Sequence, residues 1–176
     1  LAGLDVNADG YGDVAIGAPG FDVPRSDQRP GPGVTSVPSP FKNSGLVVVF
    51  LGSASGLVSP PALFRPGIQA SERLGAALAR AGDVNGDGFD DVLVGAPGTD
   101  GIGAAFVFHG SSSGIEQLPA WLVPAPGGTP GTRYASAVGG GGDVNDDGFD
   151  DVVVGAPDAG TNEGGRAYVF HGSAAG

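Results

Sequence analysis

Three short stretches gather twelve of the chain's 19 acidic residues: Asp5-Val-Asn-Ala-Asp-Gly-Tyr-Gly-Asp13, Asp83-Val-Asn-Gly-Asp-Gly-Phe-Asp-Asp91 and Asp143-Val-Asn-Asp-Asp-Gly-Phe-Asp-Asp151. All three follow D-x-N-x-D-G-x-x-D. Hard cations such as Ca²⁺ take six to eight oxygen ligands, many of them carboxylate. Alternate loop positions would supply that oxygen. In the first loop these are the side chains of Asp5, Asn7, Asp9 and Asp13 with the Tyr11 carbonyl. The second loop offers Asp83, Asn85, Asp87 and Asp91 with the Phe89 carbonyl, and the third Asp143, Asn145, Asp147 and Asp151 with the Phe149 carbonyl. A glycine at position six permits the sharp turn. A single Asp-Asn-Gly cluster reads equally well as a turn former. Three copies that keep all five positions weigh toward a cation, and the oxygen count and loop flexibility favour Ca²⁺ over Mg²⁺. Asp90, Asp146 and Asp150 fall at even positions and are expected to face solvent. The position-twelve glutamate of an EF-hand is absent; Ile16, Val94 and Val154 stand there.

Other chemistry finds little support. His109 and His171 share one repeat position, where the first unit has Leu51, so they read as packing residues at strand ends. No Ser/His/Asp arrangement emerges, and the acids outside the loops form no distinctive pair. No helix follows Gly139–Gly142 to cradle a phosphate. Arg25-Ser26-Asp27 resembles an adhesion tripeptide by chance, and Trp121 reads as packing between repeats. A net charge of −11 with one lysine, Lys42, disfavours nucleic acid. No apolar run approaches the ~20 residues of a membrane span. Zero cysteines exclude disulfides and thiolate metal sites.

The loops lie within a unit of about 60 residues that occurs three times. After each loop comes an apolar triplet and Gly-Ala-Pro: Val14–Pro19, Val92–Pro97 and Val152–Pro157. Gly45–Ser53, Gly103–Ser111 and Gly165–Ser173 match one another, as do Pro61–Phe64 and Pro119–Leu122. Each unit reads as four short strands. The first covers Leu74 to Ala81 or Tyr134 to Gly140, and the second is the triplet, buried on both faces. The third covers Leu46 to Leu51, Ala104 to His109 or Arg166 to His171. The fourth is Leu63-Phe64 or Trp121-Leu122, bounded by prolines as suits an edge. With 35 Gly and 15 Pro marking turns, the fold expected is all-β, a β-propeller of about three four-stranded blades. The blades fall near 1–66, 67–126 and 127–176, the last lacking its outer strand, with an inserted loop at 21–44. Leu1 opens the chain without Met or a signal-like stretch, which reads as a cut or trimmed segment. The ring is then partial, or other copies complete it.

The Asp-rich loops, the Gly-Ala-Pro after each and the upstream Arg73-Leu74-Gly75 resemble FG-GAP repeats of the bacterial type. These build the seven-bladed β-propeller of integrin α subunits and of many bacterial surface proteins. The family's Phe-Gly is Leu74-Gly75 in the second unit and Tyr134-Ala135 in the third. The resemblance implies that the three loops are structural Ca²⁺ sites, away from the face that meets ligands. It implies a non-enzymatic, extracellular or cell-surface module for adhesion or recognition of a protein or glycan. Two other readings stand beside it: a structural oligomer of propeller fragments, and an accessory part of a secreted enzyme whose active site lies outside this chain.

Overall fold

The computed structural model describes residues 3–23, 41–160 and 164–174. Of the insertion expected at 21–44, residues 24–40 lie outside the described residues, Arg25-Ser26-Asp27 among them.

The described strands are β1 (Val14–Gly17), β2 (Leu46–Phe50), β3 (Leu63–Pro66), β4 (Ala77–Gly82), β5 (Asp91–Ala96), β6 (Ala104–Phe108), β7 (Gly110–Ser111), β8 (Gly114–Ile115), β9 (Trp121–Pro124), β10 (Ala137–Gly142), β11 (Asp151–Ala156) and β12 (Arg166–Phe170). They form antiparallel meanders in the orders β1-β2-β3, β4-β5-β6-β9 and β10-β11-β12, with a β7-β8 hairpin beside them. The architecture is all-β, a partial propeller whose three sheets do not close a ring.

The middle second-strand triplet, Val92-Leu93-Val94, is buried on both faces, as its continuous apolar character indicates, whereas in the first unit Ile16 is exposed and in the third Val153 is only partly buried. Every residue of β5 is buried. Val92 and Val94 pack with Val47, Val49 and Leu63 between the first two sheets. Leu93 points the other way, into a core with Val107, Val152 and Val154 between the second and third. Each such side chain contributes about 1.5–3 kcal/mol by leaving water. Trp121 stands edge-on to Phe170 across that second seam, at 6.2 Å and 88°, in the packing role its sequence position indicates.

The first strand of each unit starts later than the apolar pattern indicates, at Ala77 and Ala137 instead of Leu74 and Tyr134. Left-handed residues precede it: Arg73 and Gly75 at φ 59° and 82°, Arg133 and Ala135 at φ 49° and 62°. Leu74 and Tyr134 therefore plug the seams from a turn, not from a strand. In the first unit, an isolated Leu4–Asp13 bridge precedes β1. The hairpin β7-β8 was not foreseen, although Ser111 Oγ donating to the Gly114 carbonyl at 2.8 Å gives it a local cause.

Gly-Ala-Pro has a steric reason at the seams. A Cβ on Gly17 or Gly95 would fall far inside contact distance of the Gly75 or Ala135 carbonyl oxygen of the next sheet. Gly155 has no such neighbour; its Cβ would meet Ala137 Cβ at 3.4 Å. Gly95→Ala is therefore expected to destabilise by about 3 kcal/mol, whereas Gly155→Ala is expected to be neutral or slightly stabilising. Urea melts of the two variants check this, and equal midpoints would remove the seam argument.

The Tyr134 hydroxyl is buried with no hydrogen-bond partner among the described residues, at the position where the second unit has Leu74. Tyr134→Phe should raise stability by about 1 kcal/mol by deleting an unsatisfied polar group. A lower melting temperature would show that the hydroxyl has a partner in solution.

Candidate functional site

In the second and third units the Asp-rich loop joins β4 to β5 and β10 to β11, and in the first it lies between the bridged residues Leu4 and Asp13, just before β1. A register shift at Gly82, and again at Gly142, bends the strand into the loop. Gly10, Gly88 and Gly148 take φ of 84°, 91° and 92°, so the position-six glycine is required by the turn.

The three loops share one internal geometry. The position-one carboxylate accepts two loop N–H groups: Asp5 from Asp9 and Gly10 at 3.2 and 3.0 Å, Asp83 from Asp87 and Gly88 at 2.9 and 2.8 Å, and Asp143 from Asp147 and Gly148 at 3.1 and 2.8 Å. The position-three amide donates to the position-five carboxylate at 2.9, 2.9 and 2.8 Å, from Asn7, Asn85 and Asn145 respectively. Asp9, Asp87 and Asp147 accept the N–H of Tyr11, Phe89 and Phe149. The position-nine aspartate is buried and bidentate. Its two oxygens accept the position-two N–H and the N–H of a glycine just after the third strand. Asp13 takes Val6 and Gly52, both at 2.7 Å; Asp91 takes Val84 and Gly110 at 3.0 and 2.9 Å; Asp151 takes Val144 and Gly172 at 2.9 and 3.0 Å.

The structure thus joins the position-three and position-five side chains of each loop directly, holds the position-one carboxylate on the loop's backbone N–H groups, and ties the position-nine carboxylate to the end of the third strand. The position-seven residues enter through their N–H groups. Among the described residues, no three His, Asp or Glu side chains stand grouped as a ready cage for an ion; the carboxylates face the loop's own donors. Each carboxylate keeps unused lone pairs, and the donor set is all oxygen, which suits a hard divalent cation.

The electrostatics differ from loop to loop. Burial raises the Asp13 carboxyl above its usual value; the Gly52 and Val6 N–H groups oppose this, and the Asp5 and Asp9 charges add to it. In the middle unit burial, with Asp87 and Asp83 nearby, pushes Asp91 up to about 7 against the same kind of N–H donation. Burial also pushes Asp151 upward, but Val144, Gly172 and His171 bring it below the usual carboxylate range. N–H donation, chiefly from Gly148, lowers Asp143.

Two expectations need correction. Asp90 and Asp150 do not face solvent. Asp90 Oδ2 accepts the Asp5 N–H and Asp150 Oδ2 the Asp83 N–H, both at 2.9 Å, and Asp90 also pairs with Arg80 at 2.6 Å. Alternation within one loop is respected, but the neighbouring unit's loop occupies the outward direction. Asp146 is exposed as expected. The histidines do more than pack strand ends: His109 Nδ1 lies 3.2 Å from Asn85 Nδ2, and His171 Nδ1 lies 3.2 Å from Asp151 Oδ1. The signal available was their shared His-Gly-Ser context, whose glycine binds the position-nine aspartate.

Comparison with known proteins places these features in a family. The FG-GAP repeat matches residues 1–50, 74–108 and 134–170. The chain is 33% identical over 159 residues to integrin alpha-IIb of Mus musculus, covering 89% of this chain and 14% of that protein. It is 38% identical over 160 residues to integrin alpha pat-2 of Caenorhabditis briggsae, covering 89% of this chain and 13% of the relative. Against integrin alpha-PS3 of Drosophila melanogaster it is 32% identical over 160 residues, covering 88% and 13%. The chain therefore spans about one seventh of the length of these relatives.

Proposed function

The chain belongs to the FG-GAP repeat family, and from that premise we propose that it is a calcium-stabilised, non-enzymatic binding module of an extracellular or cell-surface protein. Its three cation sites would use the side chains of Asp5, Asn7, Asp9 and Asp13, of Asp83, Asn85, Asp87 and Asp91, and of Asp143, Asn145, Asp147 and Asp151, with the carbonyls of Tyr11, Phe89 and Phe149. A bound divalent cation supplies positive charge that lets the clustered carboxylates coexist and rigidifies the turn. The loops then scaffold the blades, leaving the opposite face for a protein or glycan partner. The observation that carries this reading is the threefold repetition of one oxygen-lined loop, with a buried carboxylate in its middle copy raised to about 7. Among the described residues, no helix is long and apolar enough to cross a membrane.

Calorimetric titration of the metal-free chain with Ca²⁺ tests it. Three equivalents are expected, and Asp9→Ala, Asp87→Ala and Asp147→Ala should each remove one. No heat in the parent chain overturns the reading.

Completion of the ring by further blades draws support from the outward faces of the first and third sheets. Ile16, Val144 and Val169 are 48%, 58% and 52% exposed, while their counterparts Val94, Val84 and Val107 in the middle unit are 0% exposed. Light scattering separates the sources of a covering blade. A multiple of 17.1 kDa means that copies of this chain pair with one another; a monomer means that other blades of a longer polypeptide do so.

A further inference from the structure

The two seams carry the same chain of hydrogen bonds between successive loops. At the first seam, Asp13 Oδ2 accepts the Val6 N–H at 2.7 Å, and the Val6 carbonyl accepts the Ser111 N–H at 2.9 Å. Gly110, next to Ser111, donates its N–H to Asp91 Oδ1 at 2.9 Å. At the second seam, Asp91 Oδ2 accepts the Val84 N–H at 3.0 Å, the Val84 carbonyl accepts the Ser173 N–H at 2.9 Å, and Gly172 donates to Asp151 Oδ1 at 3.0 Å. The three buried aspartates thus lie on one continuous path. A second path runs beside it. Asp90 and Asp150 each hold the backbone N–H of the preceding loop's first ligand, Asp5 or Asp83, and each directly precedes a ligand of its own loop.

We propose that these paths couple the three cation sites, so that occupancy of one loop raises the affinity of the loop in the preceding blade, with Asp90 and Asp150 as positioning residues. The proposal rests on the cation reading above. A cation held by Asp87 and Asp91 fixes the second loop. That fixes the Asp90 carboxylate on the Asp5 N–H and Gly110-Ser111 on Val6. Asp5 and Asp13, two ligands of the first loop, are then ordered before their own cation arrives, which lowers the entropic cost of binding there. Linkage makes the effect reciprocal.

Tyr11 provides a readout confined to one loop, since Phe89 and Phe149 hold its position in the others. Terbium(III), an oxygen-seeking substitute for Ca²⁺, emits when a nearby tyrosine is excited, and loss of the signal in Tyr11→Phe assigns it to the first loop. Titrated into the full chain, Asp90→Ala is expected to weaken Tyr11-sensitised terbium binding by about fivefold, although Asp90 belongs to the second loop. Asp90→Asn removes the same charge but keeps an oxygen acceptor, and should restore most of the affinity. Asp87→Ala, whose side chain makes its hydrogen bonds to Asn85 and Phe89 within the second loop, should weaken the signal similarly and covers the case in which Asp90→Ala fails to fold. First-loop affinity unchanged in both alanine variants overturns the coupling and leaves the cation reading standing. No Tyr11-dependent signal in the parent overturns both.

Discussion

Removing divalent cations should lower the melting temperature of the chain by about 10 °C at pH 8, measured by circular dichroism in chelator against millimolar Ca²⁺. At a Kd near 10⁻⁴ M, common for extracellular sites, millimolar Ca²⁺ stabilises each site by about 1.4 kcal/mol. Three sites together contribute about 4 kcal/mol, and in a domain of this size each kcal/mol moves the midpoint by about 2–4 °C. The pH dependence sharpens the test. Asp91 is raised to about 7 by burial. A carboxyl raised on folding stabilises fully below its unfolded value and loses that contribution as pH rises through its folded value. Asp13 shifts in the same direction. Asp143 and Asp151 are lowered, as is Asp158, on which the Arg133 guanidinium donates, so their contributions are present above the ordinary carboxylate range and lost in stronger acid. The chelated chain should therefore be most stable near pH 5 and weaken toward pH 8. Calcium requires Asp91 ionised, so its stabilising effect should grow over that same interval. A chelated chain that is more stable at pH 8 than at pH 5 would sink this account of the Asp91 environment.

What the sequence made legible was whatever repeats in local residue type. The D-x-N-x-D-G-x-x-D spacing located three loops of one shared geometry, in which the position-three amide bonds the position-five carboxylate and the other carboxylates accept backbone N–H groups. The Val-rich triplet of the middle unit announced a strand buried on both faces, and Leu93 between Val92 and Val94 shows why: alternate residues serve two different cores. The same reading fails at Ile16 of the first unit, which has no sheet beyond it among the described residues and is exposed. What the sequence obscured depends on the neighbouring blade. Asp90 looked like a solvent-facing acid because position eight points away from its own loop, and nothing local reveals that the Asp5 backbone lies there. The later start of β4 and β10 was hidden for a related reason. Leu74 and Tyr134 are apolar enough to continue a strand, but the seam needs them in a left-handed turn, where they plug the gap between sheets.

The same dependence on neighbours explains why equivalent residues differ in environment. Asp91 sits in the middle unit, with a sheet on either side, and burial dominates its carboxyl. Asp151 makes the same two N–H contacts, but Val144 beside it is 58% exposed whereas Val84 is 0% exposed. There, hydrogen bonding outweighs burial. Loops that differ only at Gly86 and Asp146 thus give opposite pKa directions, and the cause lies in the layer that covers the loop together with His171, whose imidazole lies beside Asp151.

Asp91→Ala is expected to be the most damaging single substitution in the chain, and to be so even with Ca²⁺ saturating the remaining loops. The side chain has no exposed surface, and both its oxygens are engaged by buried backbone N–H groups, from Val84 on one side of the loop and Gly110 beyond β6 on the other. Alanine leaves both donors without partners, at about 1–3 kcal/mol each. It also removes a ligand from the middle cation site. The combined loss, about 4–7 kcal/mol with the cation contribution, is comparable to the whole stability of a typical domain. Asp87→Ala separates the two effects. Its side chain is exposed and bonds only within the loop, so it should melt like the parent in chelator and lose only the calcium increment. Thermal melts of the parent and both variants, each with Ca²⁺ and with chelator, provide the comparison. If Asp91→Ala matches Asp87→Ala in chelator, the position-nine aspartate is a ligand alone and not also the residue that ties the loop to the end of the third strand.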